Sequence, residues 1–130
     1  MNLVFLGPPG AGKGTVAKTI SQEYTIPHIS TGDLFRENIK KETELGREIN
    51  KLLAKGELVP DDITTSMVRD RLRSDDVKNG YIMDGFPRTL KQADTFATFA
   101  DIDCVMNFSL SDDKIIQRYG GFRGWIGLNL

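Results

Sequence analysis

The chain has 130 residues, enough for one globular domain with a buried core and too few for two. Seventeen Lys and Arg against eighteen Asp and Glu leave a net charge of −1, so binding to the phosphate backbone of nucleic acid is not expected. A single cysteine, Cys104, and a single histidine, His28, exclude an internal disulfide, a thiolate zinc cage and a multi-histidine metal site, so no zinc is expected.

No apolar run approaches the roughly 18 residues of a membrane span, and no membrane partner is expected. The opening apolar stretch breaks after Leu6 at Gly7-Pro8-Pro9, too early for a signal peptide, which points to a cytoplasmic protein. Leu3-Val4-Phe5-Leu6 reads as a strand buried on both faces. A glycine-rich turn follows, then a helix over 13–24 with Val16, Ala17, Ile20 and Tyr24 at helical spacing, then a short strand at Pro27-His28-Ile29. Thr31 and Asp33 are candidate caps for what comes next.

Residues 33–73 read as helices only: Leu45, Ile49, Leu52 and Leu53 share one face, Gly56 is a stop, and Pro60-Asp61-Asp62 opens another helix carrying Ile63, Met67, Val68 and Leu72. So long an excursion reads as a small helical subdomain inserted between strands. Tyr81-Ile82-Met83 and Cys104-Val105-Met106-Asn107-Phe108 are the third and fourth strands, with a helix over 90–99 between them. Short strands alternating with helices predict an α/β fold, a parallel sheet wrapped by helices. Residues 112–118 resemble the start of a helix, whereas 119–130, with four glycines in twelve residues, carry neither period.

The strongest chemical signal is Gly7-Pro8-Pro9-Gly10-Ala11-Gly12-Lys13-Gly14-Thr15, directly after a strand and opening a helix. It looks like a P-loop. Glycines there accept positive φ and let backbone N–H groups approach phosphate oxygens, while the helix adds its positive end. Lys13 would reach the β- and γ-phosphates, and an adjacent hydroxyl normally helps hold magnesium; here Gly14 takes that place and Thr15 comes one later. A strand-to-helix turn without a ligand is the plainer alternative, but the order of strand, loop, lysine and helix favours phosphate. Asp84 ends a strand 71 positions after Lys13, where a parallel sheet would set its carboxylate beside the loop as a magnesium-water ligand, or where it would cap the turn Asp84-Gly85-Phe86-Pro87. Arg36, Arg88 and Arg118 have planar forks suited to phosphate, whereas Arg47, Arg69, Arg71 and Arg73 read as solvated helix charges. His28 reads as a packed or capping histidine and Cys104 as a small buried hydrophobe.

Gly10-Ala11-Gly12-Lys13-Gly14-Thr15, Ser30-Thr31-Gly32-Asp33 with Arg36, Gly56-Glu57-Leu58-Val59-Pro60-Asp61, and Asp84-Gly85-Phe86-Pro87-Arg88-Thr89 with Gln92 together resemble the adenylate kinase family, from Met1 to about Arg118. The resemblance implies a P-loop NTPase core over 1–29 and 60–118, an AMP-binding subdomain over 30–59 and a divergent tail over 119–130. It implies reversible, magnesium-dependent transfer of the ATP terminal phosphate to AMP, giving two ADP. By the same resemblance Gly10, Ala11, Gly12, Lys13, Gly14 and Thr15 would cradle the ATP phosphates, with Thr15 and Asp84 serving the metal and Arg118 contacting ATP. Thr31 and the backbone of Glu57, Leu58 and Val59 would fix adenine, Arg36 and Arg88 would grip the AMP phosphate, and Gln92 would read the base edge. Gly85, Phe86 and Pro87 would line the same pocket. Lys13, Arg88 and Arg118 would carry catalysis.

The resemblance also implies a lid with further arginines, a fifth strand and C-terminal helices beyond Arg118, and these are missing. Where it implies an arginine after Gly121 the sequence has Phe122, with Arg123 one step on. Impaired activity is therefore expected, or, as the alternative, a catalytically inactive nucleotide-binding fragment. A monomer is expected, with an exposed sheet edge open to association.

Overall fold

The computed structural model describes residues 1–8 and 12–108, together with the backbone of two strands at 114–119 and 124–129. The elements run β1 (Asn2–Leu6), α1 (Lys13–Tyr24), β2 (His28–Ser30), α2 (Thr31–Lys40), α3 (Glu44–Ala54) and α4 (Asp61–Arg71). They continue through a 3-10 turn (Asp75–Val77) to β3 (Tyr81–Asp84), α5 (Leu90–Phe99), β4 (Cys104–Phe108), β5 (Lys114–Tyr119) and β6 (Gly124–Asn129). The sheet order is β2-β3-β1-β4-β5-β6. Its first four strands are parallel, as the alternating pattern predicts.

Alternation along the strands divides the interior between the two faces of the sheet. Val4, Ile29, Met83 and Val105 face a larger core with Leu34, Ile49, Met67, Val68, Phe86 and Phe96 from the α2–α5 side. Leu3, Phe5, Ile82, Cys104 and Phe108 face a smaller one covered by Ala17 of α1. Of the predicted apolar faces, Tyr24 and Leu53 are the exceptions: both remain about half exposed, at 55% and 49%.

Helix ends follow local chemistry. The cap of α2 is Ser30, not Thr31 or Asp33; its Oγ accepts from the Asp33 N–H at 3.1 Å, and Asp33 occupies the first turn, where an acidic side chain complements the helix dipole. Gly56 stops α3 as expected: at φ 73° its N–H reaches the Leu53 carbonyl and that of Glu57 the Leu52 carbonyl, a Schellman pair. The α2–α3 turn is close enough that only glycine fits at 46, since a Cβ there would stand 2.0 Å from the carbonyl oxygen of Asn38.

Two expectations are corrected beyond β4. Residues 114–118, read as part of a helix, belong instead to the antiparallel strand β5, and part of the tail read as patternless forms β6. The edge of β4 supplies unpaired N–H and C=O groups, and Lys114–Tyr119 pairs with it from Phe108↔Ile115 to Cys104↔Tyr119. The β-branched Ile115 and Ile116 suit that ladder, which outweighs a helical period too short to nucleate alone. The edge of β4 is thus covered by β5, and the sheet ends at β2 and β6. Among the described residues no helix is long and apolar enough to cross a membrane.

Candidate functional site

The parallel strands deliver their carboxyl ends to one rim, the usual place for a ligand crevice in such a sheet. Registers set Asp84 beside both Phe5 and Ser30, and Leu6 beside Asn107. The chain leaving β1 crosses the end of β4 at Gly7, where φ is 125° and a Cβ would stand 2.4 Å from the Phe108 carbonyl oxygen. Gly12 brings the chain into α1 with φ 82°, a left-handed conformation that glycine takes without strain. Gly10 and Ala11 lie outside the described residues.

Lys13 is the first residue of α1, and its side chain turns back towards the sheet. Its Nζ donates to the Gly7 carbonyl at 2.9 Å and lies 2.7 Å from Oδ1 of Asp84. The other carboxylate oxygen of Asp84 accepts from Nε2 of His28 at 2.9 Å. Burial would raise the Asp84 pKa, but the His28 hydrogen bond and the Lys13 ammonium outweigh it and hold the carboxyl below its ordinary value. The site therefore presents a partly buried ammonium and an ionised carboxylate at the start of a helix. Gly14 and Thr15 lie exposed in the first turn of that helix.

A second group gathers on the loop after β3. Gly85, at φ 79°, approaches Arg88 and Thr31 so closely that a Cβ would meet Nη2 of the former at 3.2 Å and Oγ1 of the latter at 3.5 Å. Nε of Arg88 donates to the Gly85 carbonyl at 2.8 Å, which fixes the guanidinium over its own loop. The ring of Phe86 is fully buried against Phe96, with centroids 5.2 Å apart in an edge-on contact; its side chain serves the core and leaves only its backbone to the loop. A cleft of about 390 Å³ lies between the two loops, lined by Leu6, Gly7 and Pro8 on one side and Gly85, Pro87 and Arg88 on the other; Lys13 borders it through its hydrogen bond to the Gly7 carbonyl.

Gln92 lies in the first turn of α5 and is 7% exposed. Its Oε1 accepts from the Arg88 N–H at 2.7 Å and its Nε2 donates to Oδ1 of Asp61 at 2.8 Å. Other predicted residues stand apart. Arg36 pairs with Asp33 of its own helix and both are exposed. Glu57 is exposed, Leu58 is 91% exposed, and Val59 packs on the larger core. Arg118 sits in β5 opposite Val105 by backbone register, and its side chain lies outside the described residues. Arg71 and Arg73 pair locally with Asp76 and Asp70, and Arg69 covers the Phe99 ring.

Sequence reasoning missed two partners. His28 was read as packing or capping, yet it braces Asp84, because the pairing of β2 with β3 brings their side chains together. Asp61 appears in the sequence as a helix start and as the last residue of the Gly56–Asp61 block, but its contact with Gln92 spans 31 positions without any local signal.

A parallel sheet with a glycine-led turn after its β1 strand, a lysine opening the next helix and an aspartate ending the adjacent strand define a P-loop NTPase core. Comparison with known proteins narrows the class: the family model described as adenylate kinase matches residues 5–121. The chain belongs to the adenylate kinase family. It is 54% identical over 123 residues to an adenylate kinase of Treponema denticola, covering 95% of this chain and 59% of that protein. It is 50% identical over 128 residues to one of Finegoldia magna, covering 95% and 60%, and 48% identical over 128 residues to one of Thermosipho africanus, with the same coverages. The chain thus spans about 60% of the length of the curated relatives it matches.

Proposed function

We propose that the protein is a cytoplasmic ATP:AMP phosphotransferase, moving the terminal phosphoryl group of ATP to AMP and giving two ADP, in reversible fashion. The observation that carries this reading is the cleft with the Lys13 loop on one wall and Arg88 on the other, which supports two anionic ligands meeting between two cations. In this reading 1–29 and 60–118 form the phosphate-binding core and 30–59 the AMP-binding subdomain.

In-line phosphoryl transfer asks little covalent help of a protein, so alignment and charge stabilisation carry the rate. The backbone of residues 10–15 and the N-terminus of α1 hold the triphosphate tail, and Lys13 offsets charge on the transferring group. Arg88 holds the AMP phosphate, with Arg36 joining it by leaving Asp33, and Arg118 contacts ATP. Thr31 and the backbone of 57–59 hold the adenine, and Gln92 meets its edge. Magnesium fits the donors present: Asp84 and Thr15 offer the hard oxygens that such an ion takes alongside water and phosphate ligands. When bound, it would neutralise phosphate charge, with Asp84 holding it through water.

The test is conversion of ADP and magnesium into equal amounts of ATP and AMP, with Lys13→Ala as control. Turnover that falls at least about 10²-fold in the variant supports the proposal. Saturable ATP binding without turnover above the control assigns the alternative, a nucleotide-binding protein without catalysis.

A further inference from the structure

Asp61 opens α4 and holds two side chains at the start of α5. Its Oδ1 accepts from Nε2 of Gln92 at 2.8 Å and its Oδ2 from the Thr89 hydroxyl at 3.2 Å. The same hydroxyl oxygen accepts from the Gln92 N–H at 3.1 Å, and Oε1 of Gln92 accepts from the Arg88 N–H at 2.7 Å. Three of these contacts close a ring among Asp61, Gln92 and Thr89, and the fourth ties the Arg88 backbone to it.

This ring dictates which way the Gln92 amide faces. A carboxylate can only accept and a backbone N–H can only donate, so a flipped amide would set oxygen against oxygen and N–H against N–H. At 7% exposure there is little water to repair either mismatch. After both contacts are made, one amide hydrogen and one oxygen lone pair remain, in a fixed order. That order matters to a purine, since a 6-aminopurine offers an acceptor at N1 and a donor at the 6-position, and a 6-oxopurine offers the reverse.

We propose that Asp61 is a positioning residue for base selection: it locks the Gln92 carboxamide in one orientation and thereby favours a 6-aminopurine monophosphate over a 6-oxopurine one. The inference rests on the proposed function, in which Gln92 meets the AMP base. Asp61 acts through Gln92 and Thr89, without touching the nucleotide.

Calorimetric titration of the full chain with AMP and with inosine monophosphate tests it, in wild type, Asp61→Ala and Asp61→Asn. Wild type prefers AMP. Asp61→Ala lowers the AMP-to-inosine-monophosphate affinity ratio by at least about tenfold, the size of one hydrogen bond to a charged acceptor. Asp61→Asn preserves the shape of the site and decides the matter if the alanine variant does not fold; its amide can offer oxygen or N–H to Gln92, and the ratio falls by at least about threefold. A ratio unchanged in the folded variants, with both affinities weakened together, assigns Asp61 a purely structural role and overturns the inference alone. Wild type that binds neither nucleotide overturns the proposed function and the inference with it.

Discussion

The ammonium of Lys13 and the carboxylate of Asp84 stand 2.7 Å apart at the rim of the sheet, with their side chains only 12% and 13% exposed. Seventy-one positions of sequence separate them, and the parallel pairing of β1 with β3 brings them together. Both groups are partly buried, so each charge leans on the other more than in an exposed pair, and removing one partner leaves the other less well compensated.

Asp84 should accordingly titrate below the ordinary aspartate value of 3.8, and a carboxyl NMR titration reads this directly. In Lys13→Ala the midpoint should rise, since burial then opposes the charge with only His28 to offset it. Because the folded value is depressed, the stabilisation from ionised Asp84 is complete above the unfolded value and is lost as pH falls through the folded one. Urea unfolding should therefore show wild type and Asp84→Asn separated at neutral pH and converging as the pH drops below about 4. A separation that persists undiminished in acid would show the pair to be inert.

Gly85→Ala should separate the two halves of the cleft. The substitution forces a left-handed residue to carry a Cβ 3.2 Å from Nη2 of Arg88, with a backbone cost of about 1–2 kcal/mol. Arg88 must shift, so AMP affinity should fall severalfold while ATP affinity stays near that of wild type. Titrations with each nucleotide alone measure this, and equal losses for both would contradict the assignment.

Gly46→Ala tests packing away from the cleft. A Cβ there would meet the backbone oxygen of Asn38 at 2.0 Å and its carbonyl carbon at 2.4 Å, atoms that cannot rotate aside. Overpacking of this kind costs about 1–3 kcal/mol, so the urea midpoint should drop clearly. An unchanged midpoint would mean that α3 slides freely on α2.

How much of this could be read from the sequence depended on whether the signal was local. The helices at Lys13–Tyr24 and Leu90–Phe99 lie over the residues their periodicity marks, with Gly12 and Thr89 at their starts. Asp84 was placed by an apolar strand ending in a carboxylate, a local pattern whose meaning needed only the parallel sheet. The brace from His28 needed the register of β2 on β3, which no neighbouring residue encodes. The Asp61–Gln92 contact likewise depends on how α4 meets α5. Residues 112–118 carry a weak helical period of their own, and Lys114–Tyr119 becomes a strand only through the open edge of β4. The burial of the Phe86 ring against Phe96 depends on how the loop after β3 meets α5, a tertiary contact that no local pattern encodes.

The central claim is that one cleft holds two nucleotides on opposite walls, a triphosphate beside Lys13 and a monophosphate beside Arg88. Separate calorimetric titrations of wild type and Lys13→Ala with ATP and with AMP test it most directly. The account predicts saturable heats for both ligands in wild type, loss of the ATP signal in the variant, and retention of the AMP signal. Absence of heat from either nucleotide at millimolar concentration in folded wild-type protein would contradict it.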